Sequence, residues 1–160
     1  MAASAWSPVD KALIGFGAEI PFVSHLGFTL ELFEGGQSVL GYTPQPAHLN
    51  SFAVTHGGAI MTLMDVTMAV AARSVQKDMG AVTIEMKTSF MRPAPGDGSK
   101  LTARGRLMHR TLSLAFTEAT LYDATGQACA HATGTFKYVR RQAGEAATAL
   151  HAQGSPISTD

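Results

Sequence analysis

Between residues 57 and 75 the chain is apolar at nearly every position. Ala59, Ile60, Met61, Leu63, Met64, Val66, Met68, Ala69, Val70, Ala71 and Ala72 leave almost no polar face, and a helix apolar all round is a buried one. Something must wrap it, and the rest of the pattern supplies strands. Two alternating stretches, 27–33 and 38–42, flank Glu34-Gly35-Gly36-Gln37, the pattern of a hairpin. Residues 81–90 alternate cleanly, with Val82, Ile84, Met86, Thr88 and Phe90 on one face and Thr83, Glu85, Lys87 and Ser89 on the other. The breaker at 92–98 ends that strand. Further strands are expected at 101–108, 114–123 and 127–139, the last two joined by the turn Ala124-Thr125-Gly126. Short connections imply antiparallel neighbours. The expected fold is therefore α+β, a five- to six-stranded antiparallel sheet wrapped around one long buried helix at about 57–75.

The flanks carry weaker patterns. Residues 8 to about 23 read as a short amphipathic helix and its exit, ended near Ile20-Pro21 by the constraint proline puts on its predecessor. Residues 1–19 thus form an N-terminal segment and 20–141 the domain. Beyond Arg141 the composition shifts to Ala, Gly, Gln and Ser, which predicts a disordered tail over 142–160. Formal net charge is zero, so no basic field is available to hold nucleic acid or an anionic membrane. The run from 59 to 72 is shorter than the ~20 residues of a membrane span and is broken by Asp65. The single cysteine, Cys129, lies between two alanines; it reads as a core residue and suits a reducing compartment. With no secretory pattern at the N-terminus, a cytoplasmic location is expected.

Asn50, His56-Gly57-Gly58, Asp65, and the strand from Thr83 to its exit at Phe90-Met91-Arg92-Pro93 together resemble the hot-dog-fold thioesterases, in particular the phenylacetate-pathway (PaaI-like) branch. The resemblance spans roughly residues 20–139. It implies hydrolysis of an acyl- or aryl-CoA thioester to free acid and coenzyme A, with no cofactor beyond the coenzyme carried by the substrate. It also implies a catalytic role for Asp65 and active sites shared between subunits of a homodimer, with dimers pairing into a tetramer.

The residues fit such chemistry individually. A helix N-terminus offers unpaired N–H groups and partial positive charge to an oxyanion, and glycine lets a carbonyl approach closely. Gly57, with Gly58 beside it, is the candidate donor; the alternative is that both serve helix packing. Asp65 is the one ionisable group between Gly57 and Ala72. A buried acid is costly unless paired or protonated, so it is a candidate base or nucleophile, or else a structural cap. Asn50 is a candidate for orienting water or thioester, or an ordinary loop asparagine. His56 either donates to the carbonyl or braces the loop. Thr83 is placed where the family presents a hydroxyl, and threonine is also a plain strand residue. Arg92 and Arg110, with Lys137, Arg140 and Arg141, are candidates for the coenzyme A phosphates.

Helix geometry adds a constraint. Gly58 and Asp65 lie ~10 Å apart along the axis on nearly the same face, too far to touch one scissile carbon. A two-fold partner with an antiparallel helix would bring its Asp65 beside this Gly57. Two other readings compete. A hot-dog acyl-CoA hydratase or dehydratase would carry proline beside the glycine after the histidine, which His56-Gly57-Gly58-Ala59 lacks. A non-catalytic acyl-CoA-binding regulator would carry a basic DNA-binding extension.

Overall fold

The computed structural model describes residues 14–141. Helix α1, Pro21–Leu26, leads into strands β1, Thr29–Glu34, and β2, Gln37–Tyr42. A single 3-10 turn, Pro46–His48, precedes the long helix α2, Gly57–Arg73. Strands β3, Met79–Phe90, β4, Leu101–Arg110, β5, Leu114–Tyr122, and β6, Ala128–Arg140, complete the described part. All six strands form one antiparallel sheet in the order β1-β2-β4-β5-β6-β3, and α2 lies across it. The expected α+β architecture is thereby observed. The tail at 142–160 and the start of the N-terminal helix lie outside the described residues.

Local chemistry explains the joints. Gly35 and Gly36 take φ of 58° and 82°, the two positive values a tight two-residue hairpin turn requires, and Glu34 faces Gln37 across it. At the end of α2, Ser74 donates from Oγ to the carbonyl of Ala71 at 2.8 Å and accepts from the N–H of Gly36 at 2.7 Å. One hydroxyl thus ties the helix end to the hairpin.

The helix sits very close to the sheet because the strands beneath it are built from small residues. Ala103, Ala115, Ala119, Ala130 and Ala132 are buried there, and Ser38 Oγ donates to the carbonyl of Thr67 at 2.7 Å. A Cβ on Gly105 would stand 2.5 Å from Ser38 Oγ and 2.8 Å from the Thr67 carbonyl oxygen. Into the space so defined go Leu63, Met64 and Met68, against Leu40, Leu101, Leu121 and Phe136.

Three expectations need correction. Helix α1 begins where the sequence reading ended a helix. Ile20 is extended (φ −119°, ψ 98°) and Pro21 opens the helix, since a missing N–H costs nothing in the first turn. Residues 14–20 are not helical, and Ile14 bridges to Leu30. Secondly, α2 is not buried all round within this chain. Its sheet side is covered, but Gly58 and Met61 are exposed and Thr62, Asp65 and Ala69 only half-buried, a stripe at helical spacing. Thirdly, the alternation of β3 is interrupted. Thr83 pairs with Phe136 and Glu85 with Thr135, leaving Ile84 as a bulge. An extra residue inverts the phase of a strand. Thr83 therefore shares the helix-facing side with Met86 and Phe90, instead of opposing them. As the sheet's last strand, β3 also presents an unpaired edge, with Val82 and Ile84 exposed.

The close approach of helix and sheet is testable. Gly105→Ala should destabilise the fold by about 1–3 kcal/mol, the usual cost of overpacking, read as a lowered urea midpoint with an unchanged slope. A midpoint equal to wild type would show that the contact is not tight.

Candidate active site

A cleft of about 580 Å³ opens at the N-terminus of α2, lined by Asn50, Phe52, Val54, Thr55, Gly57, Ile60 and the exit of β3 from Phe90 to Ala94. Two loops build it and are bonded to each other. Thr55 donates from its N–H to the carbonyl of Ala94 at 3.0 Å and from Oγ1 to that of Pro95 at 2.8 Å. The N–H of His56 donates to the carbonyl of His48 at 2.9 Å. His48 is itself anchored, because its Nδ1 accepts from the Gln45 N–H at 3.2 Å and the Tyr42 hydroxyl at 2.9 Å. Burial pushes the Tyr42 hydroxyl up to about 12, so it remains a proton donor.

The residues at the helix start divide their labour. His56 is the N-cap, and its Nδ1 accepts from the N–H of Gly58 at 2.9 Å. That nitrogen is spent on the helix, and so is the Gly58 donor. The N–H of Gly57 forms no hydrogen bond with the described residues, and Gly57 lines the cleft. A Cβ there would meet only the Phe90 ring, at 3.5 Å, so the glycine is not demanded by packing. The Oδ1 of Asn50 accepts from the N–H groups of Phe52 at 2.9 Å and Val54 at 3.3 Å. This fixes the amide plane of a residue that lines the cleft and leaves Nδ2 as a donor without a partner among the described residues. Arg92 borders the cleft, where its Nη1 donates to Gln127 at 2.9 Å.

Asp65 stands apart from all of these. It does not line the cleft, being about 12 Å along the helix from Gly57. Its Oδ1 accepts from Thr83 Oγ1 at 2.6 Å, a contact that the β3 bulge makes possible. Burial raises the carboxyl above its ordinary value, and the Thr83 bond offsets part of that rise. A carboxylate held by one hydroxyl and partly stripped of water is suited to take a proton. Thus one chain presents two candidate half-sites: a helix N-terminus with an apolar cleft, and a carboxylate on the open stripe of the same helix.

The remaining candidates are scattered. Arg110 ends β4 at the turn to β5 and Lys137 lies on β6, neither of them at the cleft. Cys129 is buried and its thiol pushed up by that burial, as befits a core residue. Among the described residues no cluster of His, Cys, Asp or Glu could hold a metal ion, and no helix is long and apolar enough to cross a membrane. Sequence reasoning missed Phe90 and Met91 as cleft walls and Tyr42 and His48 as loop anchors. Only the antiparallel run of β3 against α2 puts Phe90 beside Gly57, and that pairing is a tertiary fact.

Comparison with known proteins bears on the fold and the family. A family model described as "Thioesterase superfamily" matches residues 52–130, the stretch from the cleft loop to β6. The medium/long-chain acyl-CoA thioesterase YigI of Salmonella typhimurium is 26% identical over 139 residues, covering 76% of this chain and 87% of that protein. Among solved structures, the PaaI protein of the Escherichia coli phenylacetic acid degradation operon superposes with a TM-score of 0.69 at 23% identity, covering 74% of this chain and 83% of that one. The protein smu.793 of Streptococcus mutans, solved with acetyl-CoA bound, gives 0.66 at 23% identity, covering 73% and 92%. At these identities the two structures speak to the fold alone. The chain has the hot-dog fold, and its residues 52–130 match the thioesterase superfamily.

Proposed function

We propose that this protein hydrolyses acyl-CoA thioesters as a homodimer of the PaaI-like kind, each site combining the Gly57 cleft of one chain with the partner subunit's Asp65. The observation that carries the reading is the separation of the two half-sites within one chain. A two-fold axis crossing α2 near Met61 would run the helices antiparallel and set each Asp65 level with the other chain's Gly57. The unpaired edge of β3 lies beside the same stripe and would meet its own copy, which also removes an exposed edge. The acetyl-CoA bound to smu.793 and the name of YigI point to coenzyme A thioesters as the substrate class.

In this arrangement the acyl group enters between Phe52, Val54, Ile60 and Phe90. The carbonyl oxygen takes hydrogen bonds from the Gly57 N–H and from Asn50 Nδ2. As water attacks, the partner subunit's Asp65 accepts its proton and the carbonyl oxygen becomes an oxyanion stabilised where the helix dipole is positive. The tetrahedral intermediate collapses by breaking the C–S bond, and the proton passes to the departing thiolate. Thr83 keeps the carboxylate aimed. Arg92 stands at the mouth, where phosphate oxygens would pass.

Replacing Asp65 with Asn separates chemistry from folding. Turnover of acyl-CoA, followed by released thiol, should fall at least ~100-fold. Folding raises the Asp65 pKa, so the folded state binds that proton more tightly than the unfolded chain does. The stabilisation from protonation is full below the ordinary aspartate value and is lost as pH rises through the folded value. At neutral pH Asp65→Asn should therefore be as stable as wild type or more so. Unchanged turnover would refute the role of Asp65. A wild type inactive on aryl-, short- and long-chain acyl-CoAs alike would refute the hydrolase reading.

Gly57→Ala should leave the melting temperature unchanged, since its methyl makes only ordinary contact with Phe90. It should still lower kcat, because that methyl occupies the place of the carbonyl. A fully active Gly57→Ala would move the oxyanion donor elsewhere.

A further inference from the structure

At the far end of α2, about 24 Å along the axis from Gly57, three cations converge on one small cavity. It measures about 140 Å³ and is lined by Arg73, Lys77 and Arg141 together with Phe33 and the backbone around Gly15 and Gly17. A Cβ on Gly17 would stand 3.6 Å from Arg141 Nη1 and 3.8 Å from Arg73 Nη2, so the two guanidinium groups reach the same point. The guanidinium of Arg73 lies 5.8 Å and the ammonium of Lys77 5.6 Å from the centre of the Phe33 ring. Among the described residues none of the three makes an ion pair, although Glu34 and Asp78 are near in sequence.

Such a gathering is unfavourable by itself. Burial and the charge of Arg141 together hold the Arg73 guanidinium below its ordinary value. The helix C-terminus accounts for one of these cations, since a positive side chain there complements the dipole; it does not account for three. Nor is Arg73 held by its charge, because its Nε is spent on the carbonyl of Met79 at 3.3 Å, which leaves its Nη groups for the cavity. At about 30 Å³ of liquid volume per water, the space suits an anion of about five non-hydrogen atoms. Its walls are donors and apolar surface.

We propose that Arg73, Lys77 and Arg141 form an anion site for a single phosphate group, separate from the catalytic cleft. Arg73 and Arg141 supply the paired guanidinium donors that phosphate oxygens favour, Lys77 adds a point charge, and Phe33 supports the cations from below. The phosphate belongs either to the nucleotide end of a coenzyme A thioester held by the partner subunit, whose cleft the proposed two-fold axis brings nearer, or to a free phosphorylated compound.

Titration calorimetry of the full chain with inorganic phosphate, at ionic strength fixed with sodium chloride, tests the site without any turnover. The double variant Lys77→Gln/Arg141→Gln alters two exposed side chains and should weaken phosphate binding about tenfold or more. Lys100→Gln, which alters an exposed lysine that lines neither cavity, should bind phosphate as wild type does. Equal affinity in the double variant, or no binding by wild type, would overturn the proposal. The source is read by comparing coenzyme A with 3′-dephospho-coenzyme A. A preference for the former that the double variant loses assigns the phosphate to the coenzyme; a preference that it keeps assigns the site to a free phosphate compound. The phosphate titration stands even if the chain hydrolyses no thioester, so the two readings fail separately.

Discussion

Helix α2 is apolar on more sides than one sheet can cover, and most of what is unusual in this molecule traces to that mismatch. Leu63, Met64 and Met68 are fully buried on the sheet side, where Gly105 and a floor of alanines let the helix backbone come down to hydrogen-bonding distance of Ser38. The opposite stripe, through Gly58, Met61 and Asp65, keeps water contact only because nothing in the described chain lies over it. Burying apolar surface is worth roughly 25 cal/mol per Å², so such a stripe favours a second layer. In the proposed dimer the second layer is the same helix of another copy. Asp65, already partly desolvated by folding, would then be desolvated further by association.

Much of this was legible in the residues. The run from Ala59 to Ala72 announced the helix, Gly35-Gly36 the hairpin, and alternation the strands, because those signals are local and follow from backbone periodicity. The failures lie where a local signal has two meanings. Pro21 limits the residue before it, which reads as a helix end, and also suits a helix start, which is what it makes. In β3 the letters alternate perfectly across Ile84, yet the strand bulges there. Pairing with β6 decides that, and no pattern within β3 records its partner.

The candidate site was legible as a set of residues and not as an arrangement. His56, Gly57, Asn50 and Asp65 could be picked out by type and spacing. Their hydrogen bonds show which atoms are already in use: His56 Nδ1 caps the helix through Gly58, and Asn50 Oδ1 holds its own loop. The groups left over are the Gly57 N–H and Asn50 Nδ2 at the cleft, with Asp65 out of their reach. Gly58 thus belongs with the structure of the helix start, and Gly57 is left for the proposed chemistry. The cationic cavity went unread because Arg141, a phosphate candidate by type, meets Arg73 and Lys77 only through the fold.

The shared site is the central claim, and complementation between two damaged chains tests it most directly. Asp65→Ala removes the carboxylate; Gly57→Val fills the cleft side of the helix start, where even a Cβ already lies 3.5 Å from Phe90. Each variant alone should be nearly inactive. Unfolded and refolded together, they form mixed dimers in which one site has both groups intact and the other neither. Activity should return to up to about a quarter of wild type, since about half the dimers are mixed and half of their sites whole. Recovery no greater than either variant refolded alone at the same total concentration, with mixed dimers verified by mass, would contradict it.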